Sequence, residues 1–258
     1  MALFKTSNPA LGQNTFSDAA RSQYGGSLVD ASARMTLSGT VNKTGILLLC
    51  AIATAAWTWS QFMQTHDAAS IAPELILGAL GGFIVAMVTI FKQTWSPVTA
   101  PIYALLEGLV LGGLSAMFEA HYPGIALEAV GLTFGTLFVM LFLYQSGVIK
   151  VTQKFRMGVV AATGGIMIFY LLTWLLNMFH VSALKSVYDG AGPVSIGFSL
   201  FVVAIAALNL VLDFDFVEQG VTVGAPKYME WYAAFGIMVT LVWLYLEMLR
   251  LLSKMRRN

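Results

Sequence analysis

The chain carries little charge and almost no cysteine. Of its 258 residues only 10% are Asp, Glu, Lys or Arg, where an ordinary soluble domain holds about 25%. A folded chain of this size in water needs a charged shell, and 14 Lys plus Arg with 13 Asp plus Glu cannot supply one. The formal net charge is +1, and the basic residues are scattered among joins and ends, which excludes a nucleic-acid surface. A single cysteine, Cys50, rules out an internal disulfide and argues against a cysteine-based metal centre. Lysine is missing from the middle of every apolar stretch, so a retinal Schiff base is excluded. No intramembrane histidine is placed to serve a serine nucleophile, and no regular arginine series exists for voltage sensing. His66, His121 and His180 fall at the ends of apolar stretches, with Asp67 and Glu119 nearby, a weak set for a transition metal. Seven-helix zinc hydrolases need ligands on the last helix, and none is there. The expectation is a protein that is not an enzyme and binds no organic cofactor.

What the chain has in quantity is apolar sequence, 58% of all residues. Crossing about 30 Å of hydrocarbon takes about 20 mostly apolar residues. Seven stretches qualify, at 44–64, 71–91, 98–118, 125–147, 157–179, 193–217 and 228–252. Breakers mark the joins: Ser96-Pro97, Tyr122-Pro123-Gly124, Lys150 to Arg156, Asp189 to Pro193, and Gly224-Ala225-Pro226. The expected architecture is an all-α membrane bundle, residues 42–258, behind a polar flexible tail, residues 1–41. That tail lacks the basic start and apolar core of a secretory signal. Basic residues favour a cytoplasmic N-terminus, with Lys5, Arg21, Arg34, Lys43, Lys92, Lys150, Lys154, Arg156 and Lys227 on the inner side. Lys185 and the C-terminal group Arg250, Lys254, Arg256 and Arg257 oppose that count, so either the last end is exported regardless or one stretch is a re-entrant hairpin. Gly108 with Gly112, and Gly131 with Gly135, form two GxxxG patterns expected to bring the third and fourth helices together.

Carboxylates within the spans are the candidates for function, because ionisable groups at membrane depth cost several kcal/mol unless paired or wetted. Glu107 lies mid-way along the third stretch. The sixth ends Asn209-Leu-Val-Leu-Asp213-Phe-Asp215-Phe-Val-Glu218, where Asn209 and Asp213 share a helical face and Asp215 points nearly opposite. Glu230 opens the seventh stretch, and Glu247 with Arg250 forms an (i, i+3) pair near its end, read as an interfacial salt bridge. Two readings stand for this set. Carboxylates in a low-dielectric site can share a proton or bind a hard cation such as Ca²⁺, or they can form a structural network that fixes the last hairpin.

Residues 42–252 resemble the Bax inhibitor-1 superfamily, in its bacterial YccA-like branch. The likeness rests on Leu106-Glu107-Gly108-Leu-Val-Leu-Gly112, Thr133-Phe-Gly135-Thr-Leu-Phe138, Leu212-Asp213-Phe-Asp215-Phe-Val217, Ala225-Pro-Lys-Tyr-Met-Glu230-Trp-Tyr232 and Leu244-Tyr-Leu-Glu247-Met-Leu-Arg250-Leu-Leu252. The resemblance implies a seven-helix fold with a central last helix and, in some members, a pH-dependent Ca²⁺ leak latched by two proton-sharing aspartates. The first falls on Asp213. The second position falls on Thr240, which cannot titrate, so Glu107 or Glu230 is the expected substitute partner. The alternative implied by some relatives is a non-transporting partner of membrane proteases or stress proteins, acting through the tail. A bacterial inner membrane is the expected location.

Overall fold

A computed structural model describes residues 33–179 and 192–257, together with Val187 and Gly190. Seven helices are long and apolar enough to cross a membrane: α1 Leu37–Thr65, α2 Ala72–Phe91, α3 Ser96–His121, α4 Ile125–Gln145, α5 Gln153–Met178, α6 Pro193–Thr222 and α7 Met229–Arg257. No strand occurs among the described residues. The chain is an all-α integral membrane protein. Its exposed surface includes Leu49, Trp57, Phe83, Phe142, Ile168 and Trp174. In water such side chains would form an aggregating patch, whereas in a bilayer they face lipid. Burial concentrates at the end of the chain: 56% of the apolar window of α6 and 67% of that of α7 are buried, against 17–39% for the other five.

Local chemistry explains where the helices begin and stop. Thr36 caps α1 by accepting from the Gly39 amide at 3.0 Å. Thr152 does the same for α5 through Phe155. Pro193 opens α6 in the position where a missing N–H costs nothing. Both Glu119 oxygens reach past the end of α3 to the Gly124 and Ala126 amides, covering free donors at the start of α4. His66 ends α1 in the left-handed region, φ 52°.

The seven expected stretches are all present; the first, third, sixth and seventh extend by several residues at one or both ends, while the fourth stops two residues short, at Gln145. The expected boundary at residue 41 falls inside α1, because Thr36 supplies a cap and the polar residues after it find partners. α6 runs to Thr222 and α7 to Arg257, past the apolar runs that marked them. Lys5, Arg21, His180, Lys185 and Asp189 lie outside the described residues, as does most of the expected tail.

Two compact units make up the chain. Among the described residues, the first comprises residues 33–117 and Asp213–Val239; the second comprises residues 118–179, 192–212 and 240–257. In the first, α3 packs against α1 and α2. A Cβ on Gly112 would stand 2.6 Å from the Ala55 Cα, and one on Gly108 2.8 Å from the Ala51 Cα. Thr54 Oγ1 of α1 donates to the Leu105 carbonyl of α3 at 2.8 Å. The expected meeting of the third and fourth helices through paired GxxxG patterns is corrected here. Gly108 and Gly112 admit α1, while a Cβ on Gly131 or Gly135 of α4 would meet nothing within 4 Å. The second unit is built around Ile166, Val202 and Ile205, with Ala162, Tyr170, Phe198, Leu208 and Trp243 packed on them.

Candidate functional site

The predicted carboxylates fall into different settings. In the first unit, Glu230 is fully buried at the start of α7 and accepts four hydrogen bonds. Its Oε1 takes the Thr36 amide at 2.9 Å, the Thr36 hydroxyl at 2.9 Å and Lys227 Nζ at 2.9 Å, while Oε2 pairs with Lys43 Nζ. Lys43 also lies over the Trp231 ring, 5.5 Å from its centroid. Thr36, Gly39 and Lys43 follow at helical spacing on one face, and Gly39 leaves the room in which the carboxylate sits. Beside this clamp the backbone of Met35 donates to Ala225 and that of Lys227 to Ala33, an antiparallel bridge centred on Arg34 and Pro226. The segment ahead of α1 is thereby strapped to the join before α7. The clamp is not legible in the apolar pattern, because Thr36 and Gly39 fall in the polar sequence ahead of the first apolar run. The usable signal was Thr36 as a cap three residues before Gly39.

Asp213 is fully buried on α6. Asp215, two residues on, is partly exposed and accepts from Gln219 Nε2 at 2.6 Å. Glu107 lies about 16 Å along α3 from Ser96 at 1.5 Å per residue, hence near mid-membrane. It is partly buried, and a Cβ on Gly82 of α2 would stand 3.2 Å from its Oε2. Among the described residues Glu107 makes no hydrogen bond. Gly78 completes the recess, since a Cβ there would stand 2.6 Å from the Leu106 carbonyl.

The second unit holds Asn209, Thr240 and Glu247. Asn209 donates to Thr163 Oγ1 at 2.8 Å and to the Ile205 carbonyl at 2.8 Å, and Thr240 is buried. Glu247 and Arg250 form the expected (i, i+3) pair, at 2.6 Å, with Glu247 only 2% exposed and Arg250 27% exposed. Tyr170 of α5 explains the burial: its hydroxyl donates to Glu247 Oε1 at 2.8 Å and accepts from Arg250 at 3.0 Å, and Arg250 covers its ring. Lys254 is buried against Ser199 Oγ, 2.8 Å, and the Ser195 carbonyl, 3.3 Å. Arg256 pairs with Glu128 at 2.7 Å. Among the described residues, no group of three His, Cys, Asp or Glu is placed to hold a metal ion.

A family model described as Bax inhibitor 1 like matches residues 8–257. No curated protein and no solved structure matches the chain. Only the first seven residues and the last one fall outside the family match, which takes in every carboxylate and both GxxxG patterns discussed above, and the chain therefore belongs to the Bax inhibitor 1 like family.

Proposed function

We propose that the protein is a proton-sensitive cation leak, with Ca²⁺ as the leading cation, in which Asp213 sets the open state and Glu107 acts at mid-depth. The observation that carries this reading is Asp213, a carboxyl with no exposure on a membrane-spanning helix, one turn from the buried amide of Asn209. Thr240 has no titrating group, so a second acid must come from elsewhere. Glu107 is the better substitute, because Glu230 is committed to Thr36, Lys43 and Lys227. Asp215, partly exposed about 10 Å before the end of α6, adds negative charge that would draw cations toward that end. The test is Ca²⁺ entry into proteoliposomes holding a calcium dye, for the unaltered chain and for Asp213→Asn, between about pH 6 and 8, where coupled carboxylates can titrate. The reading expects pH-dependent flux that loses its pH dependence in the variant. No flux above empty liposomes from folded protein would sink it.

A second reading, a regulatory partner of membrane proteases or stress proteins, is favoured by the strap that ties the segment before α1 to the α6–α7 join. Deleting residues 1–32 leaves the clamp intact; loss of the cellular phenotype with flux preserved supports this alternative. We place the protein in a bacterial inner membrane with the N-terminus in the cytoplasm. The Lys and Arg of the inner joins, Lys43, Lys92, Lys150, Lys154, Arg156 and Lys227, support that orientation.

A further inference from the structure

In the second unit α5 and α6 carry one order of layers, and α7 follows it over the first two. Toward the C-terminal end of α7 lies a polar tier of two hydrogen-bonded groups, Tyr170 with Glu247 and Arg250, and Lys254 with Ser195 and Ser199. Further along, α5 and α6 meet again through Thr163 and Asn209. The two tiers are about 10 Å apart on α5, from Thr163 to Tyr170, and about 15 Å on α6, from Ser199 to Asn209. Between them stand Ile166, Val202 and Ile205, all buried, with Trp243 packed on them.

An interior built for stability alone gains little from polar tiers on both sides of its core, since buried polar networks are commonly replaced by apolar residues at no cost. The tier near Lys254 also holds two buried oxygens, Glu247 Oε2 and Ser195 Oγ, that meet no donor or acceptor among the described residues. A buried oxygen left in that condition costs about 1–3 kcal/mol, and ordered water is its ordinary partner. Apolar constrictions stop water and ions by staying dry.

We infer that Ile166, Val202, Ile205 and Trp243 form a water-tight seal across the second unit, dividing a hydrated Glu247 tier from a dry Asn209 tier. The seal goes beyond the leak reading and does not depend on it, because any polar interior in a membrane protein must be closed at some level to keep the membrane tight. Val202 and Trp243 are its sensitive points. A hydroxyl at Val202 gives water a partner inside the layer without changing the side chain's shape, and loss of the indole opens a hole.

The test is thiol accessibility in the full chain with Cys50→Ser, carrying Asn209→Cys, in sealed vesicles. A membrane-impermeant cationic methanethiosulfonate is added only on the side of the α7 C-terminus. With the layer intact the thiol is expected to stay unmodified. Adding Val202→Thr, Val202→Ser or Trp243→Ala is expected to speed modification about tenfold or more, since the reagent attacks a hydrated thiolate and a dry thiol stays protonated. Leu171→Ser, on the lipid-facing side of α5, is the control for general loosening. Val202→Thr decides the matter if the other two fail to fold. Fast modification with the layer intact, no acceleration by Val202→Thr in folded protein, or equal acceleration by Leu171→Ser would each overturn the seal.

Discussion

Four glycines in two identical spacings are predicted to respond to alanine with opposite signs. In a helix interior, replacing Gly by Ala stabilises by about 0.5–1 kcal/mol where space allows. Gly131 and Gly135 have that space, with nothing within 4 Å of an added Cβ. Gly131→Ala and Gly135→Ala should therefore be neutral or stabilise by up to about 1 kcal/mol. At Gly108 and Gly112 the added carbon meets the backbone of Ala51 and Ala55, which cannot swing aside as a flexible side chain can. Overpacking of this kind costs about 1–3 kcal/mol, so each substitution should cost a net 0–2 kcal/mol. Gly108→Ala should cost more, by about 1 kcal/mol, because its methyl also displaces the Thr54 hydroxyl that bonds Leu105. The double substitution should cost less than the sum, since one recession of α1 relieves both overlaps. Reversible unfolding in bicelles, followed by tryptophan fluorescence, measures the five variants against the unaltered chain. Equal effects at all four sites would refute the close approach of α1 to α3.

Tyr170→Phe removes the bonds to Glu247 and from Arg250 and should cost about 1.5–3 kcal/mol, whereas Glu247→Ala strands Arg250 and should cost about 3–5 kcal/mol; a double-mutant cycle of Tyr170 and Glu247 should show clear coupling. Asn209→Ala removes the bonds to Thr163 and the Ile205 carbonyl and should cost about 1–3 kcal/mol, measured by the same unfolding assay. Arg256 and Glu128 are partly exposed, so their coupling should stay below about 1 kcal/mol and fall as salt is raised.

The spans were legible because bilayer thickness writes itself into length and hydropathy. All seven stretches are helices, and their number follows from the apolar runs alone. The ends were less legible, because the polar residues there are stabilised by partners distant in sequence. Thr36 caps α1 locally through Gly39, but it and Lys43 are also held by Glu230, nearly two hundred residues on, which accepts from both. The GxxxG patterns show the same limit: spacing marks where a backbone approach is permitted, and only the partner helix shows whether it is used. Glu247 and Arg250 were legible as a pair, since (i, i+3) spacing is local. Their burial was not, because it depends on a tyrosine hydroxyl from α5.

The count of donors around each carboxylate separates anchors from candidate cation or proton sites, and Glu107 and Glu230 provide the sharpest contrast. Glu230 accepts from an amide, a hydroxyl and two ammonium groups, so little lone-pair capacity remains for a cation. Changing it to Gln keeps the shape, removes the charge that holds Lys43 and Lys227, and puts donor hydrogens where donors already point. A stability loss of about 2–4 kcal/mol is expected, discounted from the buried-pair range because the Lys227 side chain is 48% exposed. Faster proteolysis at residues 33–36 should accompany it, because that segment is held by the same carboxylate. Glu107 has no such partners among the described residues, and its carboxyl rests against the Gly82 backbone. Glu107→Gln should therefore leave unfolding within about 0.5 kcal/mol of the unaltered chain. Under the leak reading it should nonetheless change the pH dependence of Ca²⁺ entry. If Glu107→Gln costs as much stability as Glu230→Gln, Glu107 is a structural group. If stability and pH-dependent flux are both unchanged, Asp213 has no working partner at mid-depth in α3.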